Sequence, residues 1–154
     1  MILDLKQARN DLEAYSYEMR SNLDSYGSFE KYLDAETKAT FVAEINVVVD
    51  WIYGEGESST LEEYNKRLSK FREIGEPVKQ RHFYYTELDV YFSQIEDLKK
   101  KILLKADTIE HITDEQKDLI TKKVDAAETF FAGVQADRAA KQLHENPAYN
   151  INQI

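Results

Sequence analysis

Cysteine is absent from the 154 residues, and proline, glycine and tryptophan are scarce, with 2, 5 and 1 copies. Without cysteine there is no disulfide framework, no thiolate nucleophile and no thiolate metal site, a usage compatible with a reducing compartment. So little Gly and Pro leaves few turns for joining strands, and 32% charged with 42% apolar residues favours long helices with solvated outer faces. The length fits one domain or two very small ones, with a core that buries most of the apolar side chains. No apolar run approaches the ~20 residues that span a bilayer, and the opening MILDLKQARND carries charges too early for a signal peptide. Basic residues are outnumbered 20 to 29, giving a net charge of −9. That charge opposes nonspecific attraction to phosphate backbones and anionic bilayers, so neither nucleic acid nor a membrane is expected as a partner.

Motifs that carry chemistry are also missing. No GxSxG, SxxK or Cys/His arrangement supports covalent catalysis. His82, His111 and His144 have no HExxH setting and no pairing at i and i+4, and all three are expected on the surface. Carboxylate neighbours such as Glu62 and Glu63, or Glu87 and Asp89, read as solvated helix faces. No catalytic, cofactor or metal residue is assigned, and the chain is not expected to be an enzyme by itself.

What the sequence does contain is helical periodicity. Ala8, Leu12, Tyr15, Met19, Leu23 and Tyr26 form one stripe of a first helix over roughly 3–26. Asp34 stands where an N-cap belongs, and Phe41, Ile45, Val48 and Ile52 carry a second helix to Tyr53. Thr60 with Glu63 reads as a capping box, after which Leu61, Tyr64, Leu68 and Phe71 begin a third helix at about 61. Gly75 and Pro77 predict a break or kink between Ile74 and Val78. A fourth helix follows over Val78 to Lys105, with Lys99, Lys100, Lys101 and Lys105 near a C-terminal end whose dipole they suit. Thr113 and Gln116 form a second capping box before a fifth helix ending near Gly133. Ala136–Leu143 reads as a short sixth helix, and HENPAYNINQI as an irregular tail. The resulting organisation is a lid-type bundle beginning in 1–76, a long helix and second helical unit in 77–143, and a tail in 144–154.

The two candidate caps also suggest an internal repeat. Laying Asp34 on Thr113 places Met19 on Leu98, Leu23 on Ile102, Phe41 on Ile120, Ile45 on Val124 and Gly54 on Gly133 by the same shift. If this is a duplication, the chain holds two similar helical hairpins.

Two stretches are candidates for binding. DWIYGEGESSTLEEY has alternating glycines, but it follows a helix, lacks Lys and adds negative charge, so it does not cradle phosphate. It reads as a helix stop, turn and capped restart, with Trp51 anchoring the bundle. Its functional alternative is an acidic docking surface made by Glu55, Glu57, Glu62 and Glu63. RHFYYTELDVYF packs Phe83, Tyr84, Tyr85, Tyr91 and Phe92 into twelve residues, more rings than one stripe hides, which makes them candidates for hydrophobic contact. On that basis a rival function is a stand-alone helical adaptor for amphipathic peptides.

Three strings, DLEAYSYEMRSNLDSYGSFEKYL, DWIYGEGES and LSKFREIGEPVKQR, resemble in order and separation the C-terminal helical lid region of the heat-shock-70 superfamily. The Gly-Glu-Gly-Glu after Trp51-Ile52-Tyr53, together with Tyr17-Glu18-Met19-Arg20 and Ile74-Gly75-Glu76-Pro77-Val78-Lys79 with Arg81, is similar to its large branch, the heat-shock-110 chaperones. The lid of an ordinary heat-shock-70 chaperone is the alternative, and it would end before about residue 90. Phe130-Phe131 departs from the family's Trp-containing pair. The resemblance implies an all-α fragment, an antiparallel three-helix lid-type bundle extended by a second helical hairpin. An ATP/Mg-binding domain and a β-sandwich would lie upstream in the parent, so this piece itself takes no cofactor. It further implies nucleotide exchange on a heat-shock-70 partner chaperone, help in holding unfolded polypeptides, and residence in the cytoplasm, with nucleus and endoplasmic reticulum as alternatives.

Overall fold

The computed structural model describes residues 2–109 and 111–153. It is all-α, and no strand occurs among the described residues. Four helices account for most of it: α1 (Ile2–Leu23), α2 (Ala35–Tyr53), α3 (Leu61–Thr108) and α4 (Asp114–Ala140), with short 3-10 turns at Glu30–Tyr32, Glu55–Ser58 and Ile151–Gln153. The chain divides into two compact units, Met1–His82 and Phe83–Ile154.

In the first unit α1, α2 and the start of α3 run up, down and up. Arg9 Nη2 donates to the Ile52 carbonyl while Arg20 reaches Asn46, so α1 and α2 are antiparallel. Arg67 lies over Trp51 and Lys70 pairs with Glu44, so α2 and α3 are antiparallel too. Tyr15 and Glu18 of α1 meet Glu76 and Lys79 of α3, which sets those two parallel. Leu12, Met19, Leu23, Phe41, Ile45, Ile52, Tyr64 and Phe71 fill the centre with at most 2% of their surface exposed. Spacings of three and four on each helix bring these side chains to one stripe, and three stripes close on one another.

The expected caps form. Asp34 accepts from the Thr37 amide at 2.9 Å and starts α2. Thr113 and Gln116 make both halves of a capping box. Thr60 accepts from the Glu63 amide, but the Glu63 carboxylate pairs with Arg67 at 2.9 Å.

Three expectations about the helices are corrected. The first helix stops at Leu23, before Tyr26, because Gly27 and Phe29 amides bond back to Asp24 and Asn22 carbonyls in a turn. Tyr26 is consequently fully exposed and leaves the stripe. The expected break at Gly75 and Pro77 gives way to one helix, α3, which runs without interruption from Leu61 to Thr108. Pro77 removes the bond to the Glu73 carbonyl, a group on an exposed residue that water can satisfy. Gly75 serves close approach: a Cβ there would fall on the Tyr15 hydroxyl and within 3.2 Å of Met19 Cε. Finally, the expected fifth and sixth helices are one, since α4 continues through Gly133 to Ala140.

The second unit is an antiparallel hairpin of the later part of α3 with α4, held by Lys99 to Glu128 and by the Arg138–Asp89 pair, whose Nη2–Oδ2 arm is 3.0 Å. Tyr84, Tyr85, Leu88, Ala106 and Val134 are its buried residues. The described part of the expected irregular tail, up to Gln153, folds back on α4. Tyr149 meets Phe130 edge-on, its hydroxyl 2.9 Å from where a Cβ on Gly133 would lie. The Ala148 amide donates to Asp137 Oδ2 at 2.9 Å, Lys141 donates to the Asn146 carbonyl, and Tyr85 reaches the Glu145 carbonyl. Ile154 lies outside the described residues.

This packing can be tested at two points. Gly75→Val forces a branched side chain into Tyr15 and should cost about 1–3 kcal/mol, as overpacking typically does, seen as a lower urea midpoint; an unchanged midpoint would mean α1 has room to move. The Ala148 amide, chiefly, and Lys141 hold the Asp137 carboxyl below its ordinary value of 3.8. A carboxyl depressed by folding adds stability above that ordinary value and loses it as pH falls through the folded one. Ala148 should therefore exchange its amide hydrogen several-fold faster, relative to free peptide, once the pH has fallen below that lowered pKa than at pH 6, and Asp137→Asn should reproduce the loss at pH 6. Protection indifferent to both would show that the tail is held elsewhere.

Candidate functional site

The acidic stretch after α2 is built around Trp51. Gly54 caps α2 by donating to the Trp51 carbonyl at 3.1 Å, and Glu55–Ser58 then make one 3-10 turn. Gly56 is buried directly against the indole, so close that a Cβ would overlap the ring and the Trp51 carbonyl. Arg67 lies over the indole at 3.9 Å, and Tyr64 meets it edge-on and donates to the Gly56 carbonyl. Gly56 thus serves close contact with Trp51. Glu55, Glu57 and Glu62 point into solvent, whereas Glu63 is half-buried beside Arg67. The four candidate carboxylates are therefore not equivalent: three are available on the surface and one is occupied.

The aromatic stretch divides in the same way. Tyr84 and Tyr85 are buried and stack edge-on at 5.2 Å, Phe83 is exposed, and Tyr91 and Phe92 are half-buried. Burial, followed by the Asp137 charge, raises the pKa of both Tyr84 and Tyr85, so they stay neutral hydroxyls. Phe83 alone offers a fully available ring from this group.

Sequence periodicity missed a polar and aromatic ladder on the α1–α2 face. Tyr53 donates to Glu13, its ring lies under Arg9 at 5.9 Å, and Tyr17 sits under Arg20 at 4.9 Å. The bonds to Glu13 and Tyr17 push the Tyr53 hydroxyl up, so it remains a donor at any physiological pH. A groove of about 650 Å³ continues from Tyr17 and Arg20 past Asp24 and Lys38 to Val42. Tyr and Arg side chains held in place by neighbours are the composition of protein-binding surfaces. The available signal was Tyr17 and Tyr53 falling off the apolar stripes of their helices.

The histidines are dispersed, with one correction to their placement. His111 is exposed and His144 is half-buried, but His82 lies between Phe29 and Tyr32, each 5.2 Å away and edge-on. Among the described residues no three His, Asp or Glu side chains gather as metal ligands. No described helix is long and apolar enough to cross a membrane.

Comparison with known proteins agrees with the family pattern in the strings. The chain is 27% identical over 162 aligned positions to heat shock protein 88 of Dictyostelium discoideum, covering all of this chain and 20% of that protein. Similarity to heat shock 70 kDa protein 14 of Arabidopsis thaliana is 24% over 149 positions, 94% of this chain and 18% of the relative. The 97 kDa heat shock protein of Mesocentrotus franciscanus is 24% identical over 157 positions, 96% and 17% respectively. No family model and no solved structure matches the chain. It spans about a fifth of the length of these curated relatives. Over its whole length the chain is similar to a part of heat-shock 70/110-type proteins.

Proposed function

We propose that this chain is part of a molecular chaperone and cochaperone of the heat-shock-110 type, clasping a heat-shock-70 partner and promoting its nucleotide exchange. The observation that carries the reading is the end-to-end similarity to heat shock proteins about five times longer, over a chain that folds as a three-helix bundle plus hairpin. The bundle contributes by binding. Its three helices are tied together by a continuous core and offer outward-facing charged and aromatic side chains in fixed positions, so contact with a partner costs little ordering. Glu55, Glu57 and Glu62 form the acidic part of that contact, and the same protein helps hold unfolded polypeptides. ATP and Mg²⁺ belong to the parent protein's ATPase domain, and the compartment is the cytoplasm. Nucleic acid is not a partner in this reading, because −9 net charge repels phosphate.

The test uses the full-length parent protein with a heat-shock-70 chaperone loaded with a fluorescent nucleotide. Reversing Glu55, Glu57 and Glu62 together to Lys should slow stimulated release several-fold, while circular dichroism stays unchanged because all three side chains are exposed. Glu63 is left intact, since its pairing with Arg67 would confound folding with contact. Release as fast as wild type would remove the acidic surface from the mechanism, and a parent protein that never accelerates release would overturn the cochaperone reading itself.

A further inference from the structure

The apolar seam of the second unit is open. A groove of about 400 Å³ runs between α3 and α4, lined by Leu98, Ile102, Val124, Ala127 and Phe131, with the Lys99–Glu128 pair crossing it. Leu98 is 56% and Ile102 37% exposed, and Leu119 and Ile109 near the turn are also exposed. The shift that lays Asp34 on Thr113 gives this groove a counterpart. Those five positions correspond to Met19, Leu23, Ile45, Val48 and Ile52, which are exposed by at most 6% in the first unit. There the start of α3 lies in the α1–α2 groove, and Tyr64, Leu68, Phe71 and Val78 bury the seam. In the second unit no further helix among the described residues occupies the equivalent place. The groove therefore has the shape and apolar spacing of a site for helices.

Charge selects which helices. Over residues 96–105 four lysines outweigh two acids, and over 114–128 five acids outweigh three lysines. A foreign helix of one sign would match one wall and oppose the other. A second copy of the hairpin, related by a two-fold axis along it, presents its acidic α4 to the basic α3 wall and its basic α3 to the acidic α4 wall. The four helices then alternate in sign around a bundle whose core is the two seams together. We infer that this chain self-associates through the α3–α4 groove as a two-fold four-helix bundle.

The experiment is sedimentation of the 154-residue chain across concentration. The wild type should approach twice its 18.0 kDa mass, and Ile102→Glu and Phe131→Glu should each lower the association constant at least a hundredfold with helical content retained. Because the chain has no native cysteine, Ile102→Cys mixed with Val124→Cys should form a disulfide-linked pair on oxidation, whereas Leu104→Cys, exposed on α3 outside the groove, should not. This crosslink decides the matter even where a glutamate variant fails to fold. A wild type that stays monomeric at the highest concentration overturns the inference, as does a dimer indifferent to both glutamates or crosslinked only through residue 104. Binding of a synthetic Leu/Lys amphipathic helix to a monomeric chain would assign the groove to a foreign partner and overturn it equally.

Discussion

Two antiparallel helices cannot bury both of their apolar sides against each other, and a groove remains that requires a third element. The structure depends on how that constraint is met. In the first unit the start of α3 settles into the α1–α2 groove, and the stripes of Phe41, Ile45 and Ile52 with Tyr64, Leu68 and Phe71 become one core. Each fully buried side chain of this size is worth roughly 1.5–3 kcal/mol, more than any exposed ion pair on the same helices, whose usual worth is ~0–1 kcal/mol. The pairs Lys70–Glu44 and Lys79–Glu18 therefore set register, while apolar contact supplies most of the stability.

Close approach has local requirements that three glycines of the bundle and hairpin meet. Gly75 admits the Tyr15 ring, Gly56 admits the Trp51 indole, and Gly133 admits Tyr149. Tyr15 illustrates the consequence: burial, then its bond to Glu76, raises its pKa, so the hydroxyl stays neutral and bridges α1 to α3. Glu55, Glu57, Glu62 and the Tyr17–Tyr53 ladder lie outside these contacts and keep exposed surface.

Much of this was legible in the chain. The helix stripes, the caps at Asp34 and Thr113, and the role of the glycine-rich stretch as a stop and restart all follow from local chemistry, because spacing and capping act within one or two turns. The site was less legible. Glu62 and Glu63 are adjacent and chemically alike, yet only Glu63 faces Arg67; Tyr84 and Phe83 are adjacent rings, yet only Tyr84 is buried. Which side of a helix a neighbour covers is a non-local fact that spacing cannot supply.

The sequence by itself determined an all-helical chain, its acidic character, the positions of its caps and, through particular strings, its resemblance to heat-shock 70/110-type proteins. Tertiary structure decided the rest. It kept Pro77 inside a 48-residue helix, because packing of Gly75 against Tyr15 and Met19 outweighs one missing hydrogen bond to an exposed carbonyl. It also gave the two hairpins different fates, since burying Met19 and Leu23 while exposing Leu98 and Ile102 depends on whether a third helix is at hand, and helical periodicity is the same in either case.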